Sequence, residues 1–574
     1  MSYVGASVSA DESKVLVWER IDGKRVVKEY DIPYYFYYPD ENGPYTSMYG
    51  DKLSKKTFNS EFLLTRKEWN KKCDQYISAY GKIFESDIDP VVKVLMNNYY
   101  GIPAPYLNVG IIDIETDADP LIGYSTIENP YSPITAITIY KRWLDEYTVL
   151  AVPPKEYTGN LGDILSLEEF EDYKNEKAKL FLFTSEKEML GRFLTEIEDV
   201  DVLTGWNSEF YDIPMLLRRV SIVLDNAPFG VEVTQNEMGF TSKRISLYRK
   251  DDYKGVKNQV KRFSFASAPP PRMVQKPDRF GVDSWVGKIH GRSHLDYLRL
   301  FKKFTFEGRT SWSLNSVLED ELGIQKLSYE GSLIELYRKD FEHYIKYNLV
   351  DVVGLKRLDD KRKFIQLANN MAHQNTVLLD SVLGTVLITE IGVANHAHNV
   401  LNLIVCDKPK HNAHDKVEGA IVLNPKVGLH WWLGSVDINS LYPNTIRSIN
   451  ISPECIIGQF LDFENDWFGI RHKDDKPHTL VLEANNDDFN ERKVITLTGE
   501  QWNKRLAESS WAISAYGTVF NQAKEGIIPS MLGYWYSERK KLQAEKKKWT
   551  KKVKELESST GIELSDEDLK ILIK

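Results

Sequence analysis

The chain has 574 residues, of which 42% are hydrophobic and 12% aromatic, and its formal net charge is −9. This length exceeds what one hydrophobic core supports, so we expect several domains. The negative net charge neither indicates nor excludes a nucleic-acid partner, because local basic patches matter more than the sum. The 31 tyrosines and 13 tryptophans serve core packing, base stacking or both.

The cysteines and the N-terminal residues predict a soluble, intracellular protein. The three cysteines lie far apart in the sequence, which fits a reducing compartment without disulfides or a Cys-rich zinc site. The N-terminus has no basic stretch followed by an apolar core, so no signal peptide is predicted. No run of about 18 apolar residues occurs, so no membrane span is predicted either.

In chain order, residues 1–106 alternate short β-like runs with charged turns. They predict a mostly β domain with one helix near 83–98. A continuous apolar strand begins at 108, and helical patterns near 186–198 and 214–223 follow it. This alternation of strands and helices predicts an α/β domain with a buried sheet.

Residues 243–292 interrupt the α/β pattern with a basic, aromatic and proline-rich stretch. Such a stretch predicts either a floppy insertion or a protruding hairpin that contacts a polyanion. From about 340 to 402 the pattern is that of long helices. A second strand and helix surround Asp437, and the last 40 residues are helical and basic.

Two acids end the apolar strand "NVGIIDIETD". Asp113 and Glu115 are two residues apart. The period of a strand therefore points both side chains to the same face. Acids at strand ends are also common turn residues, so this pair alone leaves a structural role open.

Asp212 and Asp351 are two further candidates. Asp212, in "LTGWNSEFYDIPML", precedes a proline at a predicted helix start, where helix capping is an alternative role. Asp351, in "HYIKYNLVDVVGLKRL", follows Tyr347 by four residues on the same helix face. Its aliphatic neighbours predict burial, and a buried acid needs a partner. No Lys or Arg is evident beside Asp351, so a metal is the expected partner.

Four carboxylates converging from two strand ends and a helix suit two divalent cations. A cluster rich in carboxylates and poor in histidine favours Mg²⁺ or Mn²⁺ over zinc. Two such ions about 4 Å apart activate a water and stabilise the leaving oxygen of a phosphodiester. Tyr347 is the candidate for orienting that water.

A fifth acid, Asp437, lies in "SVDINSLYPNTIRS". The apolar run at 431–436 before it predicts a buried strand. Ser440 follows, and Pro443 suits the first turn of a helix. A strand that delivers one acid to a loop before a helix is typical of half of a metal site.

These motifs carry a family resemblance. In order and spacing, "DIET", "TGWNSEFYDIP" and "YNLVDV" resemble the three exonuclease motifs of family B DNA polymerases. "DINSLYPNTIRSINISPE" resembles the first polymerase motif of that family. "LDYLRLFKKFTF", "SYEG" and "NISPE" are most similar to the replicative polymerases of T-even-type bacteriophages. The resemblance covers the whole chain.

The resemblance implies an α/β and α+β multidomain protein in five parts. These are a β-rich N-terminal domain (1–106), an RNase H-like 3′–5′ exonuclease domain with the basic hairpin (107–363), a helical return to the N-terminal domain (364–408), a partial palm (409–525) and the first half of helical fingers (526–574).

The resemblance also implies a role for each candidate residue. Asp113, Glu115, Asp212 and Asp351 would be the exonuclease metal ligands or their close support. Each of the two active sites would use two Mg²⁺ ions, with Mn²⁺ as the alternative. In the polymerase site the implied metal ligands are Asp437 and the Ile438 carbonyl. The implied nucleotide-binding residues are Ser440, Leu441, Tyr442 and Arg539. Tyr442 would also select against a 2′-hydroxyl, and Arg539 would clamp the γ-phosphate.

The chain departs from the family pattern at two positions. Gln543 stands where a phosphate-binding Lys is usual, and Lys540 or Lys546 is a candidate substitute. Val417 stands where the family has a Tyr before a glycine turn. Residues 538–555 hold nine Lys and Arg against three Glu, a composition that also fits a solvated helix face.

The second palm acid, the second fingers helix and the thumb have no matching strings in this sequence. We therefore expect the N-terminal half of a polymerase, either a natural split enzyme or a truncated or pseudogene product. The amphipathic last residues, with Ser565 as a candidate helix cap, favour a split enzyme.

The expected partners are primer–template DNA, dNTPs, a second polypeptide and a sliding clamp, in the cytoplasm of a bacterial host. Two rival functions stay open from the sequence. One is a stand-alone 3′–5′ exonuclease with a vestigial polymerase half. The other is a non-catalytic DNA-binding scaffold.

Overall fold

The computed structural model describes residues 2–58, 66–119, 121–235, 241–248, 258–277, 282–305, 308–408, 422–482 and 493–560. The calls on Val417 and Ser565 lie outside these residues. The chain forms two compact units. The first unit combines Met1–Tyr34, Phe58–Leu64 and Ile88–Gly392, and the second combines Tyr35–Thr57, Thr65–Asp87 and Val393–Lys574. Among the described helices, none combines the length and the apolar composition that crossing a membrane requires.

The strands, in chain order, are β1 Tyr3–Val8, β2 Lys14–Ile21, β3 Lys24–Asp31, β4 Tyr35–Pro39, β5 Tyr45–Thr46, β6 Lys52–Thr57, β7 Val109–Thr116, β8 Ala118–Asp119, β9 Gly123–Tyr124, β10 Ile134–Lys141, β11 Glu146–Ala151, β12 Ile164–Ser166, β13 Lys177–Leu182, β14 Val202–Gly205, β15 Glu232–Gln235, β16 Thr241–Arg244, β17 Arg272–Pro277, β18 Asp283–Lys288, β19 Ser293–Asp296, β20 Ile456–Phe460, β21 Pro477–Leu482, β22 Val494–Thr498, β23 Trp511–Ile513 and β24 Thr518–Asn521.

The α-helices are α1 Arg66–Tyr80, α2 Pro90–Tyr99, α3 Glu186–Glu196, α4 Asp212–Val223, α5 Tyr297–Phe304, α6 Leu314–Leu322, α7 Leu333–Lys339, α8 Phe341–Arg362, α9 Phe364–Gln374, α10 Thr385–His396, α11 Leu441–Ser448, α12 Phe463–His472, α13 Gly499–Glu508 and α14 Ile527–Thr560.

A seven-stranded mixed sheet organises the first unit, in the order β12-β13-β11-β10-β7-β14-β19. Strand β7 pairs antiparallel with β10 and parallel with β14. Because successive side chains alternate between faces, Ile112 and Ile114 of β7 join the core with Leu190 of α3 and Leu217 of α4. The opposite face of β7 presents Asp113 and Glu115, and helix α8 lies over it.

The helices that flank this sheet begin at identifiable caps. Ser185 accepts a hydrogen bond from the Glu188 backbone N–H at the start of α3. The Asp340 side chain accepts a hydrogen bond from the His343 backbone N–H at the start of α8. Helix α8 runs for 22 residues to Arg362 and is capped by Lys363, which has a left-handed backbone. Helices α3 and α4 and the long-helical pattern after 340 confirm those sequence predictions.

The helix expected near 83–98 is present as α2, which covers Pro90–Tyr99, and a further helix lies before it in the chain. Helix α2 begins at Pro90, because Asp89 accepts a hydrogen bond from the Val91 N–H at 2.8 Å and proline suits the first helical position. Helix α1 was not predicted. Its Trp69 and Tyr76 rings pack on Phe36 of β4 in the second unit.

The basic stretch at 243–292 is only partly the loop or protruding hairpin that its composition predicts. Its described residues include a 3₁₀ turn at Gln259–Phe263 and the antiparallel ribbon of β17 and β18. Phe263, Met273 and Trp285 are buried in the same core as α3 and α4. Apolar residues scattered among lysines therefore anchor the stretch, which average composition does not reveal.

The second unit contains a five-stranded antiparallel sheet in the order β22-β21-β20-β24-β23. Phe460, Ile470, Leu480, Trp502 and Val519 form its core with α12 and α13. Helices α11 and α14 pack against each other in the same unit. They position the residues around Asp437.

Candidate functional site

Three acids of the first unit form a compact cluster. Ligand oxygens of Asp113, Glu115 and Asp351 all lie within 4.8 Å of one another. Asp113 and Glu115 come from β7, and Asp351 comes from α8, which covers that face of the sheet. Asp351 is buried, whereas Asp113 and Glu115 are half-buried. The structure therefore brings three of the four predicted exonuclease acids together.

Asp212 lies outside this three-acid group. It is the first residue of α4 and is buried. Burial is the main cause that raises its pKa to about 7, and a hydrogen bond with the Ile114 backbone opposes the rise. Its charge in turn raises the pKa of Asp113 and of Glu115. Asp212 is thus an electrostatic neighbour of the cluster.

The cluster favours neutral carboxyl groups when it holds no cation. Burial, followed by the charge of Asp351, raises the pKa of Glu115 to about 8. The same two causes raise the pKa of Asp113 well above its usual range. Several acids crowded in a poorly hydrated site cannot all ionise without positive charge nearby.

Positive charge is present in the form of Lys326, which corrects the expectation that no Lys or Arg lies beside Asp351. The Lys326 ammonium forms a salt bridge with Asp351 Oδ2 and lies 3.4 Å from the Tyr347 hydroxyl. Burial opposes the charge of Lys326, but Asp351 outweighs it and raises the lysine pKa. Lys326 precedes Asp351 by 25 residues in a loop, so no helical spacing connects the two.

The second oxygen of Asp351 supports a cation site. Asp351 Oδ1 is buried and has no hydrogen-bond partner among the described residues. A buried carboxylate oxygen without a partner is costly, and a cation would satisfy it. Oxygen ligands from three acids suit a hard ion such as Mg²⁺. The residues present therefore fit the metal that the sequence implies.

Asn348 orients Asp113, a role that the motif analysis missed. Its Nδ2 donates to Asp113 Oδ2 at 2.7 Å, and Thr138 Oγ1 of β10 donates to its Oδ1 at 2.5 Å. Asn348 is completely buried. Hydrogen bonds of this kind fix ligand orientation at metal sites. The signal was available inside the string "YNLVDV", next to Tyr347.

Tyr347 lies four residues before Asp351 on α8 and beside Lys326. Burial, followed by the charge of Asp351, raises the pKa of its phenol to about 12. The hydroxyl therefore keeps its proton at neutral pH and is available as a donor. The Tyr329 ring meets the Tyr347 ring edge to face, with centroids 5.3 Å apart.

The run before Asp437 is not the buried strand that its composition predicts. Residues 422–440 contain no strand, and Trp431, Trp432 and Val436 are 78%, 102% and 93% exposed. A strand requires a neighbour that satisfies its backbone groups. None of the described strands pairs with this run, so its apolar side chains remain uncovered.

The helix after Asp437 begins as predicted. Helix α11 starts at Leu441, directly after Ser440, and holds Pro443 in its first turn. Arg539 Nη1 of α14 donates to Ser440 Oγ at 3.5 Å, so two predicted nucleotide-binding residues are adjacent.

The other residues predicted for the polymerase site face solvent. Ile438, Leu441 and Tyr442 are exposed, and so is Asp437. Within the described ranges, no group of acids, histidines or cysteines joins Asp437 in a second candidate metal cluster. Gln543 lies on the exposed surface of α14.

Comparison with known families is consistent with this geometry. Residues 71–317 match the model for DNA polymerase family B, exonuclease domain, and residues 367–559 match the model for DNA polymerase family B. The first match contains Asp113, Glu115 and Asp212, and the second contains Asp437 and Arg539.

Curated relatives agree with these matches. The chain is 27% identical to the DNA-directed DNA polymerase of Escherichia phage RB69, over 72% of this chain and 43% of that protein. It is 25% identical to the DNA-directed DNA polymerase of Enterobacteria phage T4, over 90% of this chain and 51% of that protein. It is 23% identical to the DNA polymerase delta catalytic subunit of Candida albicans, over 65% of this chain and 30% of that protein.

The chain spans about half the length of the two phage polymerases that it matches. Its first part aligns with an exonuclease domain, and its second part aligns with a polymerase domain. This chain belongs to DNA polymerase family B.

Proposed function

We propose that this chain provides the 3′–5′ proofreading exonuclease and part of the polymerase site of a replicative DNA-directed DNA polymerase. The observation that carries the exonuclease proposal is the cluster of Asp113, Glu115 and Asp351, with ligand oxygens within 4.8 Å. Asp351 Oδ1, for which the described residues offer no hydrogen-bond partner, supports the same conclusion. Both phage relatives named above are DNA polymerases.

In the exonuclease, the three clustered acids would hold two Mg²⁺ ions, or Mn²⁺, with Asp212 as a ligand or close support. When bound, the ions supply charge stabilisation and a more acidic water. The protonated Tyr347 hydroxyl, next to the Lys326 ammonium, orients the water that attacks the terminal phosphodiester. Asn348 holds Asp113 in the orientation that a ligand needs.

In the polymerase, Asp437 and the Ile438 carbonyl would hold a metal ion against the incoming nucleotide. The proximity of Arg539 to Ser440 supports a phosphate-binding role for both residues, because a guanidinium and a helix start suit phosphate. Leu441 contacts the triphosphate, and Tyr442 excludes a ribose 2′-hydroxyl.

We further propose that a second polypeptide supplies the second palm acid, the remaining fingers and the thumb. The exposed Trp431, Trp432 and Val436 support this proposal, because a contiguous apolar surface of this kind usually contacts a partner. Primer–template DNA and dNTPs are the substrates, and a sliding clamp is a further partner. The five-part division, with an RNase H-like exonuclease and partial palm and fingers, belongs to the same proposal.

The first experiment incubates the purified chain and 5′-labelled primer–template with Mg²⁺, with and without dNTPs. We expect primer shortening without extension, and loss of shortening in the Asp113→Ala/Glu115→Ala variant. Primer extension by this chain alone would contradict the proposal that a second polypeptide must supply the second palm acid. DNA binding without shortening would favour a non-catalytic scaffold.

A stand-alone exonuclease is the alternative. It is favoured by the contrast between the assembled three-acid cluster and the exposed Asp437, which belongs to no candidate metal cluster among the described residues. This alternative predicts that no added polypeptide produces primer extension, even when the chain that contains Asp437 is intact.

A further inference from the structure

The carboxylate of Glu209 lies close to Asp212 in the chain, and the proposed chemistry does not use it. Glu209 is three residues before Asp212, in the turn that joins β14 to α4. Its side chain is only 13% exposed. A carboxylate shielded from water to this extent is costly unless cations or N–H groups compensate it. The partners of Glu209 therefore indicate its role.

Glu209 pairs with two cations that come from different elements. Lys276 Nζ of β17 lies 2.6 Å from Glu209 Oε1, and the Arg299 guanidinium of α5 forms a salt bridge with Glu209 Oε2. Burial opposes the charge of Glu209, but Lys276 and Arg299 outweigh it and lower the pKa of the carboxyl. One side chain thus ties the turn before Asp212 both to the ribbon of β17 and β18 and to α5.

The backbone of Glu209 is fixed as well. Its N–H donates to Asp296 Oδ2 at 3.0 Å, and the Arg299 N–H donates to Asp296 Oδ1 at 3.2 Å. Asp296 is 2% exposed and caps α5. After burial, the charge of Asp296 is the next cause that raises the pKa of Asp212. Asp296 therefore connects the backbone of Glu209 with the surroundings of Asp212.

Other residues of the same turn contact the two strands on either side of β14. Ser208 is completely buried, and its Oγ lies 2.9 Å from His294 Nε2 of β19. The Tyr211 hydroxyl lies 2.9 Å from Thr116 Oγ1 at the end of β7. Contacts with separate elements fix the conformation of a loop, and here they fix the loop that leads into α4.

The ribbon of β17 and β18 also packs on the helix that Asp212 begins. Gly287 of β18 lies so close to α4 that a Cβ at this position would be 2.4 Å from Leu217 Cδ1 and 3.1 Å from Ile213 Cγ2. Both distances are shorter than the optimal separation of two carbon atoms. The ribbon therefore contacts α4 as well as the turn before it.

We infer that Glu209 is a positioning residue of the exonuclease, which holds Asp212 in the place from which that acid supports cation binding. Lys276 and Arg299 fix the Glu209 carboxylate, and Asp296 fixes its N–H. In this role Glu209 acts through Asp212 and needs no contact with the substrate. The inference rests on the proposed exonuclease, and it makes the ribbon of β17 and β18 part of the support of the acid cluster.

The first test measures cation binding by the full chain, from the electron paramagnetic resonance signal of free Mn²⁺ in the absence of DNA. We expect Glu209→Ala to weaken Mn²⁺ binding about tenfold, as the loss of supporting contacts at metal sites does. Lys276→Met removes one of the two cations that hold Glu209 and should weaken binding less. Lys276→Arg keeps the ion pair and should bind Mn²⁺ like wild type.

These substitutions distinguish positioning from a general effect of charge. Glu209→Ala removes a negative charge and Lys276→Met removes a positive charge. Through charge alone, the first would weaken the binding of a cation and the second would tighten it. If Glu209 positions Asp212, both substitutions weaken Mn²⁺ binding.

Glu146→Ala is the matched control. Glu146 also pairs with two cations, Lys141 at 2.9 Å and Lys179, and its side chain is 24% exposed. It lies at the opposite end of the sheet from the acids, because its strand neighbour Lys141 pairs with Gly110 at the start of β7. We expect Glu146→Ala and Glu209→Ala both to lower the melting temperature, but Glu146→Ala should leave Mn²⁺ binding unchanged.

The second test follows single-turnover cleavage of a 5′-labelled oligothymidylate as a function of Mg²⁺ concentration. For Glu209→Ala the half-saturating Mg²⁺ concentration should rise about tenfold, while the half-saturating DNA concentration stays within about twofold of wild type. A shift in the DNA dependence alone would overturn the positioning role, because Glu209 would then act on the strand.

The two measurements separate the inference from the proposed function. Weaker Mn²⁺ binding in both Glu209→Ala and Lys276→Met, without cleavage by wild type, would overturn the exonuclease and support the positioning role. Cleavage by wild type, with Mn²⁺ binding unchanged in both variants or tightened in Lys276→Met, would overturn the positioning role and leave the exonuclease standing. If Glu209→Ala does not fold, Lys276→Met decides in the same way. A wild-type chain that neither binds Mn²⁺ nor cleaves DNA would overturn both.

Discussion

Lys326 and Asp351 form a buried ion pair within the acid cluster, and the same ammonium lies 3.4 Å from the Tyr347 hydroxyl. The side chain of Lys326 is 20% exposed and that of Asp351 is 8% exposed. In the absence of a metal, Lys326 is the cation that neutralises Asp351. Cluster stability and cation binding are therefore linked through this lysine.

Replacing the lysine tests this link. We expect Lys326→Met to lower the free energy of unfolding by about 3 kcal/mol in EDTA near pH 8, because Asp351 loses its buried partner. Urea unfolding measures the change. Lys339→Met is the matched control, since its pair with Glu335 is exposed to solvent and therefore contributes little to stability. Equal effects of the two substitutions would contradict the role of Lys326.

The metal-free protein should lose stability as the pH rises from about 5 to about 8. The pKa values of Glu115 and Asp212 are raised to about 8 and about 7, above the ordinary values near 4. In this range the unfolded chain has released protons that the folded chain still holds, so raising the pH favours unfolding. Thermal unfolding in EDTA across this range measures the slope.

Bound Mg²⁺ or Mn²⁺ should reverse that slope. The ligands must be ionised to bind a cation, so binding releases protons and stabilises the protein more at pH 8 than at pH 6. Glu115→Gln removes one titrating group and should flatten the curve in EDTA. A metal-free curve that rises over this interval would contradict the assignment.

Asn348→Ala should reduce exonuclease turnover about 10-fold to 100-fold at saturating Mg²⁺. The substitution removes the 2.7 Å hydrogen bond that orients Asp113, and losses of this size follow removal of such supporting contacts. Single-turnover cleavage of labelled DNA measures the effect. Asn98→Ala removes an asparagine hydrogen bond to the Val94 carbonyl on α2 and should leave turnover unchanged. Unchanged turnover in both variants would show that Asp113 is oriented without Asn348.

His478 predicts a different pH dependence in the second unit. Its two ring nitrogens lie 2.8 Å from Asp466 Oδ1 and 2.7 Å from Asp474 Oδ1, and the residue is 4% exposed. Burial opposes the charged ring, but hydrogen bonds to the two aspartates outweigh it and raise the pKa of His478. The resulting stabilisation is complete below pH about 6.5 and is lost as the pH rises through the raised pKa.

His478→Gln should therefore remove this pH-dependent stabilisation. Thermal unfolding of wild type and variant should differ most near pH 6 and converge at alkaline pH. His430→Gln, at an exposed histidine, is the control and should leave the profile unchanged. A difference between wild type and His478→Gln that is constant with pH would exclude a charged His478.

Much of the candidate site follows from local sequence periodicity. Strand alternation places Asp113 and Glu115 on one face of β7, and helical spacing places Tyr347 and Asp351 on one side of α8. Those periods predicted parts of the acid cluster, and the resemblance of the motif strings to family B DNA polymerases indicated the family. Pro443 in the first turn of α11 was predictable for the same reason, because its restricted backbone suits that position.

Composition alone did not determine which apolar residues are covered. The run at 431–436 has the side chains of a buried strand, but burial requires a hydrogen-bonding neighbour that no described residue supplies. In contrast, Phe263 and Trp285, in a basic stretch, are buried because α3 and α4 offer them a core. Whether a residue is buried depends on the elements that pack against it, and the residues next to it in the sequence do not reveal those elements.

The sequence by itself determined the order of the acids, the faces that they share and the family. Only the tertiary structure decided that Lys326 neutralises Asp351 and that Asn348 orients Asp113. Each of these contacts joins separate elements that approach one another only after the sheet and α8 have packed. Periodicity extends along a single element, so contacts between elements leave no repeating trace in the sequence.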